Sequence, residues 1–297
     1  MQINRLSSIT RSIDLSYPTN RAIAVISLLF LFGIAYFQLF SGKPVSVALV
    51  SGFRAGFSVF FAWALAREID PDNELSAFAA AFMACLFFLY FLSPFFPSPF
   101  LPSPGLLALF LFLLSIRIIN RSTGLPAKLS DSVGVLLLSG WLSLQESWIF
   151  GLIAALAFFL DGFLPGPNRN HRVFSGAAFL ISLFALSGAG AAGTVEVAGG
   201  KEVIFGDAGM LVLAASFLFL PHIFFSRKIR TKGDLSGSPL TPIRVQAAQL
   251  SSLAGALLLA GLEGWWGIEV LMPFWGALIG VPIYGYARLL LQMLSKA

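Results

Sequence analysis

Four carboxylates, Glu68, Asp70, Asp72 and Glu74, fall on alternate positions of a seven-residue stretch in a chain with only fourteen acidic residues. Carboxylates this dense suit a divalent cation. Mg²⁺ binds through one or two of them and leaves its other positions to water and phosphate oxygens. The chemistry would be capture of a phosphate or diphosphate group, with Asp161 as a further ligand and Arg117, Arg121, Lys128, Arg169 and Arg172 as cationic contacts to the same anion. A structural account covers part of the cluster as well. The residue before a proline is driven out of helical dihedrals. Asp70 therefore reads as the N-cap of a helix with Pro71 in its first position, and Asp72 and Glu74 sit where the helix dipole favours negative charge.

Arg54 is the second candidate, because it stands inside a long apolar run. An arginine at mid-membrane depth costs about 2.5–3.5 kcal/mol on insertion scales, so it must meet protein, water or a counter-ion. It reads as an anion-binding or gating group in a cavity, or as an arginine tied to backbone carbonyls or snorkelling outward beside Gly52 and Gly56. Glu146 and Glu263, from the outer side, are candidate acidic partners and Asp161, from the inner side, a remoter one, with no choice among them in the sequence. His222, after Pro221, reads as a structural interfacial histidine. Cys85 is the single cysteine, which excludes an intrachain disulfide and a cysteine metal site. Walker loops, dinucleotide fingerprints, metal-type histidine pairs and nucleophile elbows are absent.

These residues must be held by elements suited to lipid. Of the 297 residues, 57% are hydrophobic and 11% charged, with a mean hydropathy of +0.86; a soluble domain carries about 25% charged residues. Lipid offers no hydrogen bonds to the backbone, so spanning elements are helices or closed barrels. Long unbroken apolar runs select helices. The fold class is an all-α polytopic transmembrane bundle of about ten spans, near 22–40, 45–66, 75–92, 105–119, 132–145, 148–164, 173–186, 207–225, 247–262 and 268–290. The fifth and sixth must turn at Glu146, since one helix across both would be about 50 Å long. Whether they cross or form a re-entrant hairpin, leaving eight full spans, is open. Residues 194–205 read as a small β-hairpin. Pro273 and Pro282 read as kinks in the last span. Gly52 with Gly56, and Gly276 with Gly280, give small-xxx-small spacing for close helix packing.

Orientation follows from the cations. With the amino terminus in the cytoplasm, sixteen of the nineteen Lys and Arg fall inside, only Lys43 and Lys201 outside, and Arg54 within a span. That split is what the positive-inside rule expects. It also accounts for the net charge of +5 without nucleic acid. Both termini are then cytoplasmic: an arm over 1–21, a membrane domain over 22–290 and a tail over 291–297. The first apolar run, beginning after Arg21, reads as an uncleaved span.

The stretches 67–72, 122–126 and 164–169 (REIDPD, STGLP and LPGPNR) resemble segments of an uncharacterised group of archaeal polytopic membrane proteins. That resemblance implies a cell-membrane location and no activity. The placing of Asp70, Glu74 and Asp161 also resembles the intramembrane prenyltransferases, whose aspartate-rich loops are here incomplete; it implies a Mg²⁺-dependent transferase acting on an isoprenoid or phosphorylated lipid. The leading expectation is a small-solute or lipid-type transporter using Arg54. The Mg²⁺ enzyme and a non-catalytic membrane subunit are the alternatives. The partners expected are the lipid bilayer and an anionic or phosphorylated small molecule or lipid.

Overall fold

The computed structural model describes residues 7–10, 14–92, 104–192 and 207–295. Its regular structure is all α: eleven helices and no strand among the described residues, with one isolated antiparallel bridge between Lys232 and Pro239. The expected hairpin over 194–205 lies outside the described residues. The chain divides into two compact units, Met1–Arg11 with Phe110–Val212 and Ile223–Ile268, and Ser12–Leu109 with Leu213–His222 and Glu269–Ala297.

In the unit that holds Ser12–Leu109, α1 (Pro18–Phe40), α2 (Val45–Ile69), α3 (Ser76–Leu92) and α11 (Met272–Leu294) pack against one another. The glycine pairs are the reason these helices approach so closely. A Cβ on Gly52 would stand 2.6 Å from the Leu31 carbonyl oxygen, and one on Gly56 2.8 Å from that of Ser27, so α1 lies directly on the α2 backbone. Gly276 and Gly280 do the same for α11 against Ala84 and Ala80 of α3. Lipid supplies no hydrophobic drive between helices, and close van der Waals fit takes its place. Gly280→Ala, whose Cβ would meet Ala80 backbone atoms at 2.5 Å, is expected to lose about 1–3 kcal/mol by overpacking. The thermal midpoint in detergent checks this against Gly285→Ala on the same helix, where nothing lies within 4 Å.

In the other unit, α5 (Leu129–Gln145), α6 (Ile149–Phe163) and α7 (His171–Ala192) pack together, and α9 (Pro242–Glu263) lies on α6. The turn expected at Glu146 separates α5 from α6, with the Glu146 and Ser147 amides both returning to the Leu142 carbonyl. The remaining helices are α4 (Leu106–Asn120), α8 (Asp207–Phe225) and the short α10 (Trp265–Val270).

Five helices are long and apolar enough to cross a membrane: α1, α2, the His171–Gly188 part of α7, α9 and α11. The apolar helices α3, α4, α6 and Gly209–Phe225 of α8 are shorter. At 1.5 Å per residue, α3 reaches about 26 Å against a hydrocarbon core of about 30 Å. α1 leaves Leu29, Phe32, Tyr36 and Phe40 each more than 60% exposed. A helix on a water-soluble surface turns polar residues outward, so the outward face of α1 is made for lipid.

Two local expectations are corrected. Asp70 is the C-cap of α2, its amide bonded to the Ala66 carbonyl at 2.8 Å, and α3 starts only at Ser76. Asp72 and Glu74 therefore lie in the connecting turn. The tenth expected span is two helices divided at Leu271, and Pro273 stands in the first turn of α11 instead of kinking it. A proline with no N–H to lose starts a helix as readily as it bends one. Pro282 is inside α11, as expected.

Candidate functional site

The densest polar assembly is built around Asp161, near the end of α6 and fully buried. Arg121 Nε donates to its Oδ1 at 2.8 Å, and Arg244 Nη1 donates to the same oxygen at 2.6 Å. His171 Nδ1 lies 2.8 Å from Oδ2. The opposite ring nitrogen, Nε2, lies 2.8 Å from the Ser132 hydroxyl, which also donates to the Lys128 carbonyl. The Phe158 ring meets the imidazole edge-on at 5.0 Å.

Helix ends explain why the charges gather here. Arg244 sits in the first turn of α9, where a cation opposes that helix's own dipole. Its guanidinium instead reaches the last carbonyls of other helices: Ile119 of α4 at 2.9 Å, and, beyond α6, Pro165 at 3.0 Å with Leu164 and Gly166 at 3.4 Å. Carbonyls at helix C-termini have no intrahelical donors, and basic side chains satisfy them. Arg172 serves the Gly162 carbonyl at 3.2 Å and lies over Phe163. Arg121 follows α4 with φ of 52°, in the left-handed region that non-glycine residues rarely occupy. Its bond to Asp161 offsets that strain.

The order Ser132, His171, Asp161 matches a hydroxyl, base and orienting acid. Its surroundings argue against nucleophilic chemistry. Ser132 is 1% exposed and His171 fully buried, leaving no room for a carbonyl to approach. Asp161 also already answers two guanidinium groups, which draw off the charge that would stabilise an imidazolium. The assembly is a staple binding the ends of α4, α6, α7 and α9.

The expected metal set is not assembled. Glu68 is 1% and Asp70 5% exposed, Asp72 and Glu74 face outward from the turn, and Asp161 is engaged by arginines in the other unit. Among the described residues no group of three His, Cys, Asp or Glu side chains could hold a metal ion. The physical reason is the extension of α2 to Ile69, which buries Glu68 while the turn carries Asp72 and Glu74 outward. The basic residues expected to meet the same anion are turned inward in part: Arg117 donates to the Ile9 carbonyl, Arg121 to Asp161, and Arg172 to Gly162.

Arg54 is half-buried on α2, and none of the hydrogen bonds or ion pairs of the described residues engages its guanidinium. Glu146 is exposed in the α5–α6 turn. Glu263, at the end of α9, accepts the Ser147 hydroxyl at 2.5 Å. Both glutamates belong to the unit of α5 and α6, and Arg54 to the other.

No family model, curated protein or solved structure matches the chain. Its own geometry is therefore what bears on function. Arg244, His171 and Ser132 were missed as site residues. The one legible clue was Arg244 itself, a cation in the first turn of a helix, which implies acceptors supplied from elsewhere.

Proposed function

We propose that the chain is a multi-pass protein of the cell membrane, with about ten crossings (eight if α5 and α6 form a re-entrant hairpin) and both termini in the cytoplasm, that moves a small anionic solute or an anionic-headed lipid. The membrane part rests on five helices of spanning length, on the apolar outward face of α1, and on the gathering of Lys and Arg at alternate connections. The transport part rests on one observation, Arg54. It lies nine residues into α2, about 13 Å along the axis and so near mid-depth, with no internal counter-ion among the described residues. An ionised side chain kept at that depth marks a solute path. Among the described residues no group of three His, Cys, Asp or Glu side chains could hold a metal ion, so the geometry offers no observation that favours the Mg²⁺-dependent transferase.

The test is anion flux into proteoliposomes, with chloride, phosphate and small carboxylates as probes. Wild-type protein carries at least one of them, Arg54→Leu does not, and Arg54→Lys keeps part of the flux. Equal flux through wild type and Arg54→Leu would remove Arg54 from the path.

A further inference from the structure

The second buried carboxylate, Asp70, is held differently from Asp161. It closes α2, is 5% exposed, and accepts the Asn73 amide at 2.9 and 3.2 Å, while the neighbouring Ser76 hydroxyl donates to the Asn73 carbonyl at 2.7 Å. Facing it from α8 is His222, with Nε2 4.0 Å from Asp70 Oδ1 and the ring stacked on Phe219. The other charged groups around it are accounted for. On α2, Arg67 donates to Asn20 and lies over Trp63, and Glu68 is buried. In the turn, Asp72 adds a like charge. From α11, Arg288 bonds to Asn73 and not to Asp70. Among the described residues, then, no lysine or arginine pairs with Asp70. Asp161 is paired with two permanent cations, whereas the only cationic partner of Asp70 among the described residues is a side chain that can itself be neutral.

The end of α8 is also built to give. Pro221, directly before His222, supplies no N–H and so interrupts the helix ladder one turn from the terminus. The neighbouring Leu218 carbonyl is bonded by the Tyr286 hydroxyl at 3.2 Å. Directly beyond Pro221, the His222 ring faces the 70–76 turn.

We propose that Asp70 and His222 form a proton-binding site: one exchangeable proton is held by the pair, and its loss leaves a buried carboxylate without a counter-charge and loosens the contact between His222 and the α2–α3 turn. The proton belongs to the pair and not to either residue. Burial pushes the Asp70 carboxyl above the ordinary carboxylate range, while His222 and the polar groups of Ser76 and Asn73 beside it act the other way. The sign follows. A carboxyl raised in the folded state binds its proton more tightly there than when unfolded, so the stability it contributes is present at low pH and falls as pH rises through the folded value. The inference does not depend on Arg54 or on transport.

The experiment is amide hydrogen exchange and thermal unfolding of the purified full chain in detergent across pH 4.5–8.5, with exchange corrected for its intrinsic pH dependence. In wild type, opening of 71–76 and 218–222 is expected to rise with pH at a slope approaching about tenfold per unit, while α1 stays flat. Asp70→Asn, an uncharged stand-in for the protonated acid, should hold the low-pH behaviour at every pH. His222→Gln should move the midpoint downward, because only the carboxyl then remains to hold the proton that the pair shares. A wild-type slope indistinguishable from that of α1 overturns the site even if neither variant folds. A parallel Asp70→Asn profile, or an unmoved midpoint in His222→Gln, overturns the pairing.

Discussion

Asp161→Asn is expected to destabilise the protein by about 3–5 kcal/mol, the range for breaking a buried ion pair from one side. The substitution keeps the shape and removes the charge, leaving two guanidinium groups facing a neutral amide. Arg121 has an outlet, since its side chain is 15% exposed, but Arg244 is 3% exposed and has none. Arg244→Met also removes the donors from the Ile119 and Pro165 carbonyls, so it should cost a similar amount. The double variant should cost clearly less than the two singles together, because residues in one network are not additive. Equilibrium unfolding in mixed micelles reads all three. An Asp161→Asn variant within about 1 kcal/mol of wild type would mean that the staple is ornamental, since surface pairs are worth no more than that.

The second large effect lies at Arg54, and its sign separates a working residue from a packing one. An arginine at mid-depth carries a cost of about 2.5–3.5 kcal/mol on insertion scales, which leucine would relieve. Arg54→Leu should thus be as stable as wild type or more so while flux falls at least tenfold; function retained at the expense of stability is a mark of functional sites. An arginine serving as packing or as a bridge to carbonyls predicts the reverse, a less stable leucine variant with flux unchanged. Thermal unfolding and liposome flux on the same preparation distinguish the two. Arg54→Lys refines the result: a lysine keeps the charge but not the planar fork, so partial flux points to charge and none to bidentate recognition.

What could be read from residues alone was whatever local spacing determines. The Gly52/Gly56 and Gly276/Gly280 pairs announced close packing, and Ala35, Leu31, Ala84 and Ala80 lie against them. The turn at Glu146 followed from length. The end of α2 did not, because Asp70-Pro71 reads equally as a helix start and a helix stop. The choice is made by the Ala66 carbonyl accepting the Asp70 amide, and by Asn73 folding back on the Asp70 carboxylate. The division at Leu271 was hidden for a related reason, since Pro273 is compatible with a kink and with a first turn. The Asp161 network could not be read at all as a set. Its members at 121, 132, 161, 171 and 244 come from five segments with no common spacing, and only three-dimensional packing brings them together. The four carboxylates at 68–74 show the converse. Density in sequence suggested one site, and the backbone sends them to different surroundings.

Both readings of the polar groups depend on the chain lying across a bilayer with its cationic connections on one side. In a Cys85→Ser background, Lys43→Cys and Arg230→Cys give single thiols on predicted opposite faces. A membrane-impermeant maleimide applied to intact cells should label position 43 at once, and position 230 only after the membrane is opened. Labelling of both positions from the same side would contradict the orientation and remove Arg54 from mid-membrane depth.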